Sequence, residues 1–151
     1  MRKTKESTNR GSVGVKEPIK LADFGSAEHV PDITWTLCGT PDYLAPEIVN
    51  QGPYNKSVDW YAVGILLYEM LAGCPPFFSE EPNPMRLYER IRAGWIKYPR
   101  YFEPLSVELM RGLLTVDLSN RLGNMSGGSG EILGHAWFAE VPWEKLASKE
   151  V

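Results

Sequence analysis

The chain has 151 residues, 43% of them hydrophobic and 11% aromatic, so it is long and apolar enough to bury a core as one domain. Its net charge of -3 argues against a nucleic-acid partner, and no apolar run suits a secretion signal or a membrane span. Its two cysteines, Cys38 and Cys74, form neither a disulfide framework nor a paired metal site. We therefore expect free, half-buried thiols in a reducing compartment, cytoplasmic or also nuclear.

The first segment of the chain, residues 1–18, is polar and predicts a flexible leader. Residues 19–22 alternate apolar and other side chains, which predicts a short strand. From Asp23 to Pro46, frequent glycine and proline residues predict a long ordered loop. A loop of this length inside a domain usually carries function.

The strongest helix signal covers Ser57 to Ala72, where apolar side chains occupy almost the whole circumference. This pattern predicts a buried central helix, with Ser57 as its N-cap and Gly73 at its end. Asp59 and Glu69 lie on this helix, and their carboxylates would be costly to bury without partners.

Shorter helices are predicted at Pro84–Ala93, Leu105–Thr115 and Gly130–Ala136, each bounded by proline or glycine. The sequence contains no second strand that would pair with residues 19–22. These elements together predict a mainly α fold.

Five short motifs point to chemistry through their order and spacing. Asp23-Phe24-Gly25 follows the predicted strand, where a carboxylate can hold Mg²⁺ against nucleotide phosphates. As a tripeptide it is a weak signal. Further motifs follow in order: Cys38-Gly39-Thr40-Pro41, Ala45-Pro46-Glu47, Asp59-Trp60 and a distant Arg121. All five in this order form a specific pattern.

On these motifs the chain resembles the eukaryotic protein kinases, within them the AGC group, and most closely the cyclic-AMP-dependent catalytic subunits. The resemblance implies a kinase C-terminal lobe with its activation segment over residues 19–147 and a tail at 148–151. It implies transfer of the ATP γ-phosphate to serine or threonine of basic protein substrates, with Mg²⁺ as the metal. It also implies a cyclic-AMP-binding regulatory subunit as a partner.

The resemblance also implies a role for each matching residue. Asp23 corresponds to the metal ligand, Thr36 to the activation-loop phosphosite, and Thr40 to a residue that supports the catalytic loop. The residues implied to contact substrate are Leu37, Pro41, Asp42, Leu44 and Glu69, with the two carboxylates binding substrate arginines. The structural residues are Phe24, Gly25, Glu47, Asp59 and Arg121, with Glu47 and Arg121 as a buried ion pair. The regulatory subunit is implied to dock at Trp35 and Tyr88.

Simpler roles remain open for several of these residues. Asp23 could be a plain turn residue, and Asp59 could simply cap the helix. Thr36 could be an unmodified loop residue, and Glu69 could be a solvated carboxylate at the helix end. Glu28 also departs from the family pattern, since the related kinases carry a lysine there that binds the activation-loop phosphate. A glutamate is expected to repel that phosphate.

The sequence also lacks motifs that the resemblance would place before Asp23. Residues 1–22 contain no glycine-rich phosphate loop, no phosphate-binding lysine with its glutamate, and no His-Arg-Asp catalytic loop. The catalytic base is therefore expected to be absent from these residues. This leaves an alternative function, a catalytically inactive lobe that binds a regulatory subunit or a pseudosubstrate.

Overall fold

Helices dominate the part of the chain described by the computed structural model, which comprises residues 20–30, 32–35, 38–80 and 83–150. Their bounds are α1 Pro46–Val49, α2 Ser57–Ala72, α3 Pro84–Ala93, α4 Pro104–Leu113, α5 Ser129–Leu133 and α6 Trp143–Ser148. Short 3-10 turns occupy Phe24–Ser26, Pro41–Tyr43, Leu118–Asn120 and Ala136–Phe138. In these ranges the β pairing is limited to an isolated antiparallel bridge between Thr34 and Tyr54. The mainly α fold class is confirmed.

The strand predicted over residues 19–22 is wrong for the part that the structure describes. Residues 20–22 are exposed coil. A strand needs a neighbour to satisfy its backbone N–H and C=O groups, and no partner strand lies among the described residues. The leader, residues 1–18, lies outside the described ranges together with Ile19.

The predicted bounds of α2 and α3 are confirmed, but the N-cap of α2 differs. Ser57 is the first helical residue, and the Asn55 side chain accepts a hydrogen bond of 2.9 Å from its N–H. Gly73, with φ +82°, ends the helix as expected. The prediction for α4 was displaced by one or two residues, and the third predicted helix is α5 followed by a 3-10 turn.

The short helices α1 and α6 were not predicted, since four and six residues are too few to show a helical period. Both thiols are free and half-buried, as expected. Within the described ranges, no helix is both long and apolar enough to cross a bilayer.

The core lies where α2 crosses α4. Tyr61 and Ile65 of α2 are fully buried, and Leu109, Met110 and Leu113 of α4 are at most 1% exposed. These side chains come from positions three or four apart on each helix, so each helix contributes one apolar face. Helix α4 and the 3-10 turn at residues 41–43 therefore both pack against α2.

The prediction that α2 is buried on all sides is wrong, because the side opposite the core is exposed. Val63, Leu66 and Met70 are 42%, 44% and 67% exposed, and their spacing places them in one stripe along the helix. A continuous apolar stripe of this kind usually marks a surface that another protein segment covers. The sequence shows which faces of a helix are apolar. It does not show whether another segment packs against each of these faces.

Gly64 permits the close approach of α2 to the end of α4. A Cβ atom at this position would lie 2.8 Å from Leu114 Cδ2 and 2.9 Å from Leu113 Cβ. We expect Gly64→Ala to lower the free energy of unfolding by about 1 kcal/mol or more, because overpacking outweighs the gain in helix propensity. Urea titration measures this change.

Gly130 in α5 provides the matched control, because a Cβ there would meet no atom of the described residues within 4 Å. Gly130→Ala should therefore be neutral or stabilising by up to about 1 kcal/mol. If both substitutions shifted stability equally, the close contact at Gly64 would not exist.

Candidate functional site

A buried ion pair joins Glu47 of α1 to Arg121, which are 74 residues apart in sequence. Arg121 Nη1 donates to Glu47 Oε1 at 2.6 Å, and Nη2 donates to Oε2 at 2.9 Å. The guanidinium is fully buried and the glutamate is 9% exposed. Two parallel hydrogen bonds use the planar donor fork that distinguishes arginine from lysine.

Arg121 makes further contacts that tie three segments together. Its Nε donates to the Thr115 carbonyl at 2.9 Å, and its Nη1 lies 3.4 Å from the Ser57 carbonyl oxygen. Its guanidinium lies over the Tyr61 ring, 5.1 Å from the centroid. The charge is therefore satisfied on several sides, which is what permits its burial. The pair fixes the end of the 23–46 loop on the helices.

A second cluster brings two carboxylates to one tyrosine. The Tyr43 hydroxyl donates a short hydrogen bond to Glu69 Oε2 near the end of α2. The bond to Glu69, burial, and the charges of Glu69 and Asp42 raise the Tyr43 pKa to about 12. The hydroxyl therefore stays a proton donor at neutral pH. Asp42 and Glu69 thus create a locally negative site at the junction of the loop and α2.

Asp23 lies at the start of the loop in a left-handed backbone conformation, with φ 63°. Its side chain is exposed and accepts a bond of 3.4 Å from the Gly25 N–H. The positive φ thus falls on Asp23 rather than on Gly25, one of the implied structural residues. Phe24, expected as a packing residue, is 64% exposed in the structure.

The fit of Asp23 to a metal can be tested against its surroundings. Among the described residues there is no group of three or more histidine, cysteine, aspartate or glutamate side chains that would enclose a cation. Mg²⁺ is commonly bound by one or two carboxylates together with substrate phosphates. An exposed Asp23 carboxylate therefore fits one ligand of a phosphate-bound Mg²⁺, and it does not fit an all-protein site.

Glu28, where the family carries a lysine, accepts a hydrogen bond of 3.0 Å from the Thr34 hydroxyl. Thr34 in turn pairs with Tyr54 through two backbone bonds of 2.8 and 3.0 Å. Burial, with the charges of Cys38 and Glu28 and a bond to Cys38, raises the Tyr54 pKa. Glu28 therefore helps to hold the loop against the chain before α2. Thr36 and Leu37 lie outside the described residues.

Two further residues predicted to contact substrate, Pro41 and Leu44, differ in their exposure to solvent. Pro41 is exposed, whereas Leu44 is 5% exposed and part of the core. Of this pair, Pro41 alone is exposed to solvent, and its contact with substrate stays a prediction. Thr40 is exposed at the start of the 3-10 turn, and its carbonyl accepts from the Tyr43 N–H at 2.9 Å.

The three remaining predicted site residues, Trp35, Tyr88 and Asp59, are all at least partly open to solvent. Trp35 is 63% exposed and Tyr88 of α3 is half-buried. Asp59 is exposed in the first turn of α2, on the same side as the apolar stripe, where Val63 follows it by one helical turn. A carboxylate in the first turn also complements the positive end of the helix dipole.

Sequence reasoning missed Tyr43 and Tyr61. Tyr43 stands between two residues that were singled out, but nothing local indicates that its hydroxyl meets a carboxylate 26 residues away. Tyr61 is one of the apolar side chains of α2, and its contact with Arg121 exists only in the folded chain.

Comparison with known proteins places this geometry in a family. The family model described as "Protein kinase domain" matches residues 8–138. The match reaches into residues 8–18 of the predicted leader, and the domain boundaries stay a prediction. The chain is 56% identical over 133 residues to a cAMP-dependent protein kinase catalytic subunit from Arthrobotrys oligospora. It is 53% identical to cAMP-dependent protein kinase type 3 from Saccharomyces cerevisiae, and 50% identical to a catalytic subunit from Schizosaccharomyces pombe.

Each of these matches covers 88% of this chain, but it covers 25%, 33% and 26% of the respective relatives. The 151 residues therefore span about a quarter to a third of the length of these curated proteins.

Proposed function

The chain belongs to the protein kinase family, and on this premise we propose that it forms the activation segment and C-terminal helices of a serine/threonine kinase of the cyclic-AMP-dependent type. The complete enzyme would transfer the γ-phosphate of ATP to serine or threonine of basic protein substrates. Three relatives that carry the cyclic-AMP-dependent kinase name at 50–56% identity support this assignment. A cytoplasmic or nuclear location and a cyclic-AMP-binding regulatory subunit belong to the same proposal.

The observation that carries the proposal is the convergence of Asp42 and Glu69 on Tyr43. Two carboxylates at a junction between an exposed loop and a helix end create a site that favours a cation. The C-terminal end of α2 adds negative dipole potential, so Glu69 there is disfavoured until a cation approaches. A substrate arginine supplies both the charge and the planar donor fork.

Asp23 has a separate role in the proposal as the protein ligand of Mg²⁺. When bound, the ion neutralises charge on the nucleotide phosphates. Glu47 and Arg121 anchor the segment that carries Thr40 and Pro41, so substrate would meet a loop that is fixed at its end. Thr36 is proposed as the phosphosite, and Glu28, which accepts a hydrogen bond from the Thr34 hydroxyl, places a like charge near it that would oppose the phosphate.

The exposed stripe on α2 supports a longer catalytic domain. Val63, Leu66 and Met70 form an apolar surface that a solvated helix does not need. We propose that kinase-domain segments not contained in these 151 residues cover it in the complete enzyme. Asp59, at the start of the same stripe, would then contact the catalytic loop.

Substrate selection by Glu69 is testable in a chimeric kinase in which residues 20–150 replace the matching segment of the Saccharomyces cerevisiae relative. Replacing the near upstream arginine of a peptide substrate by alanine should lower kcat/KM about tenfold or more with native Glu69. With Glu69→Gln, the same peptide change should matter less than about threefold, because the attracting charge is gone. Steady-state kinetics on the two peptides measure both values.

Two control variants separate charge from geometry. Tyr43→Phe removes the hydrogen bond to Glu69 but keeps the carboxylate, so the preference for arginine should persist. Glu108→Gln removes an exposed charge on α4 and should change nothing. Equal losses for the alanine peptide in the native and Glu69→Gln kinases would mean that Glu69 does not bind the substrate arginine.

A second candidate function is a catalytically inactive binding module. The exposure of Trp35 favours it, because an indole 63% exposed on the loop is available to a partner protein. Retention of the 151-residue chain by an immobilised cyclic-AMP-binding regulatory subunit, with no phosphate transfer, would favour this alternative.

A further inference from the structure

An open groove lies between the α3–α4 connection and the end of α4, and among the residues of the site above it shares Thr115, whose carbonyl accepts from Arg121. Its volume of about 690 Å³ is in the range of sites that hold small ligands or a few side chains. Trp95 lines this groove and is 90% exposed. Tryptophan is usually largely buried, and exposed tryptophan is enriched at binding surfaces. We call this feature the Trp95 groove.

The backbone of the Trp95 groove is fastened at two points. Gly94 adopts φ +65°, and a Cβ there would lie 2.4 Å from Val116 Cγ2, so the turn packs directly on the residues after α4. The Lys97 carbonyl accepts a hydrogen bond of 2.8 Å from the Tyr68 hydroxyl of α2. A groove held by packing and by a hydrogen bond is largely preformed, which reduces the ordering cost of binding.

The charged side chains that line the groove have one sign. Its lining residues include the cations Lys97 and Arg111 and no carboxylate, and the nearest carboxylate in sequence is that of Asp117, which follows the lining residue Val116. The Arg111 guanidinium lies 5.5 Å from the centroid of the Tyr98 ring. Stacking on the ring restrains the guanidinium while leaving its N–H edges free to donate.

We propose that the Trp95 groove binds a short acidic peptide segment that carries one large apolar side chain. The apolar side chain packs against Trp95 and Val116, and the flanking carboxylates pair with Lys97 and Arg111. Charge complementarity selects this occupant, because a lining with two cations and no carboxylate attracts an acidic segment more than a basic one. The site would give the kinase a binding surface separate from the one that reads substrate arginines.

The proposal is tested by fluorescence anisotropy with a dye-labelled peptide that has one phenylalanine between two pairs of glutamates. The protein is the 151-residue chain, and in parallel the chimeric kinase with residues 20–150. We expect binding with Kd on the order of 10–100 µM, since the groove is small and open. A peptide with lysines in place of the glutamates should bind at least about tenfold more weakly.

Matched variants identify the surface. Trp95→Ala should weaken binding about tenfold, and Arg111→Gln about threefold. Arg100→Gln and Phe78→Ala remove an exposed cation and an exposed aromatic ring outside the groove and should leave Kd unchanged. Equal binding of the acidic and basic peptides, or equal effects of the groove and control variants, would overturn the proposal. So would binding by the chain with none by the chimera, which would show that other kinase segments cover the groove.

Discussion

A polypeptide of these 151 residues is expected to transfer phosphate at least about 10³-fold more slowly than a chimera in which residues 20–150 complete a related kinase domain. The residues before Asp23 contain no His-Arg-Asp loop and no phosphate-binding lysine. Positioning and charge stabilisation supply almost all catalysis of phosphoryl transfer, so losing the base and the nucleotide cleft removes most of it. Radiolabelled ATP with a basic peptide measures both rates.

The control for this experiment is the chimera with Asp23→Asn, which should lose most activity because the proposed metal ligand is neutralised. Mg²⁺-dependent turnover by the 151-residue chain, purified free of other kinases and within tenfold of the chimera, would contradict the expectation. An inactive chimera that is folded by circular dichroism would count against the proposed function itself.

The second large effect is expected at the buried ion pair, where Arg121→Ala should lower the free energy of unfolding by about 3–5 kcal/mol. Glu47 is only 9% exposed, and the substitution removes its partner. A buried charge without a compensating charge is costly. It also removes the bond to the Thr115 carbonyl and the contact with the Tyr61 ring. Chemical denaturation of the chain, or of the chimera, measures the change.

Three further variants show that the loss comes from the pair. Arg121→Lys should cost less than Arg121→Ala, because lysine keeps the charge but not the bidentate geometry. The double variant Glu47→Leu with Arg121→Met should recover much of the loss, since an apolar pair leaves no buried charge. Tyr61→Phe removes a buried hydroxyl that has no hydrogen-bond partner among the described residues, and it should be neutral or stabilising. An Arg121→Ala variant as stable as the parent would contradict the assignment.

The regions that the sequence predicted well are those where one local signal suffices. The bounds of α2 and α3 follow from long apolar periods, from proline at the start of α3 and from glycine after each helix. Family membership was indicated by five motifs in a specific order along the chain, and the match of the kinase domain model to residues 8–138 confirms it. The sequence predictions failed where the local signal was short, as at α1 and α6, or needed a partner, as for the strand at 19–22.

By itself, the sequence determined the mainly α class, the bounds of α2 and α3, and the kinase family. Only the tertiary structure decided which side chains meet. It paired Tyr43 with Glu69 and left the Val63–Met70 side of α2 open. It also placed Lys97 and Arg111 together at the Trp95 groove. The physical reason is that helix periodicity and turn chemistry act over a few residues. Burial, hydrogen bonding and charge instead depend on segments that are distant in the chain and adjacent after folding.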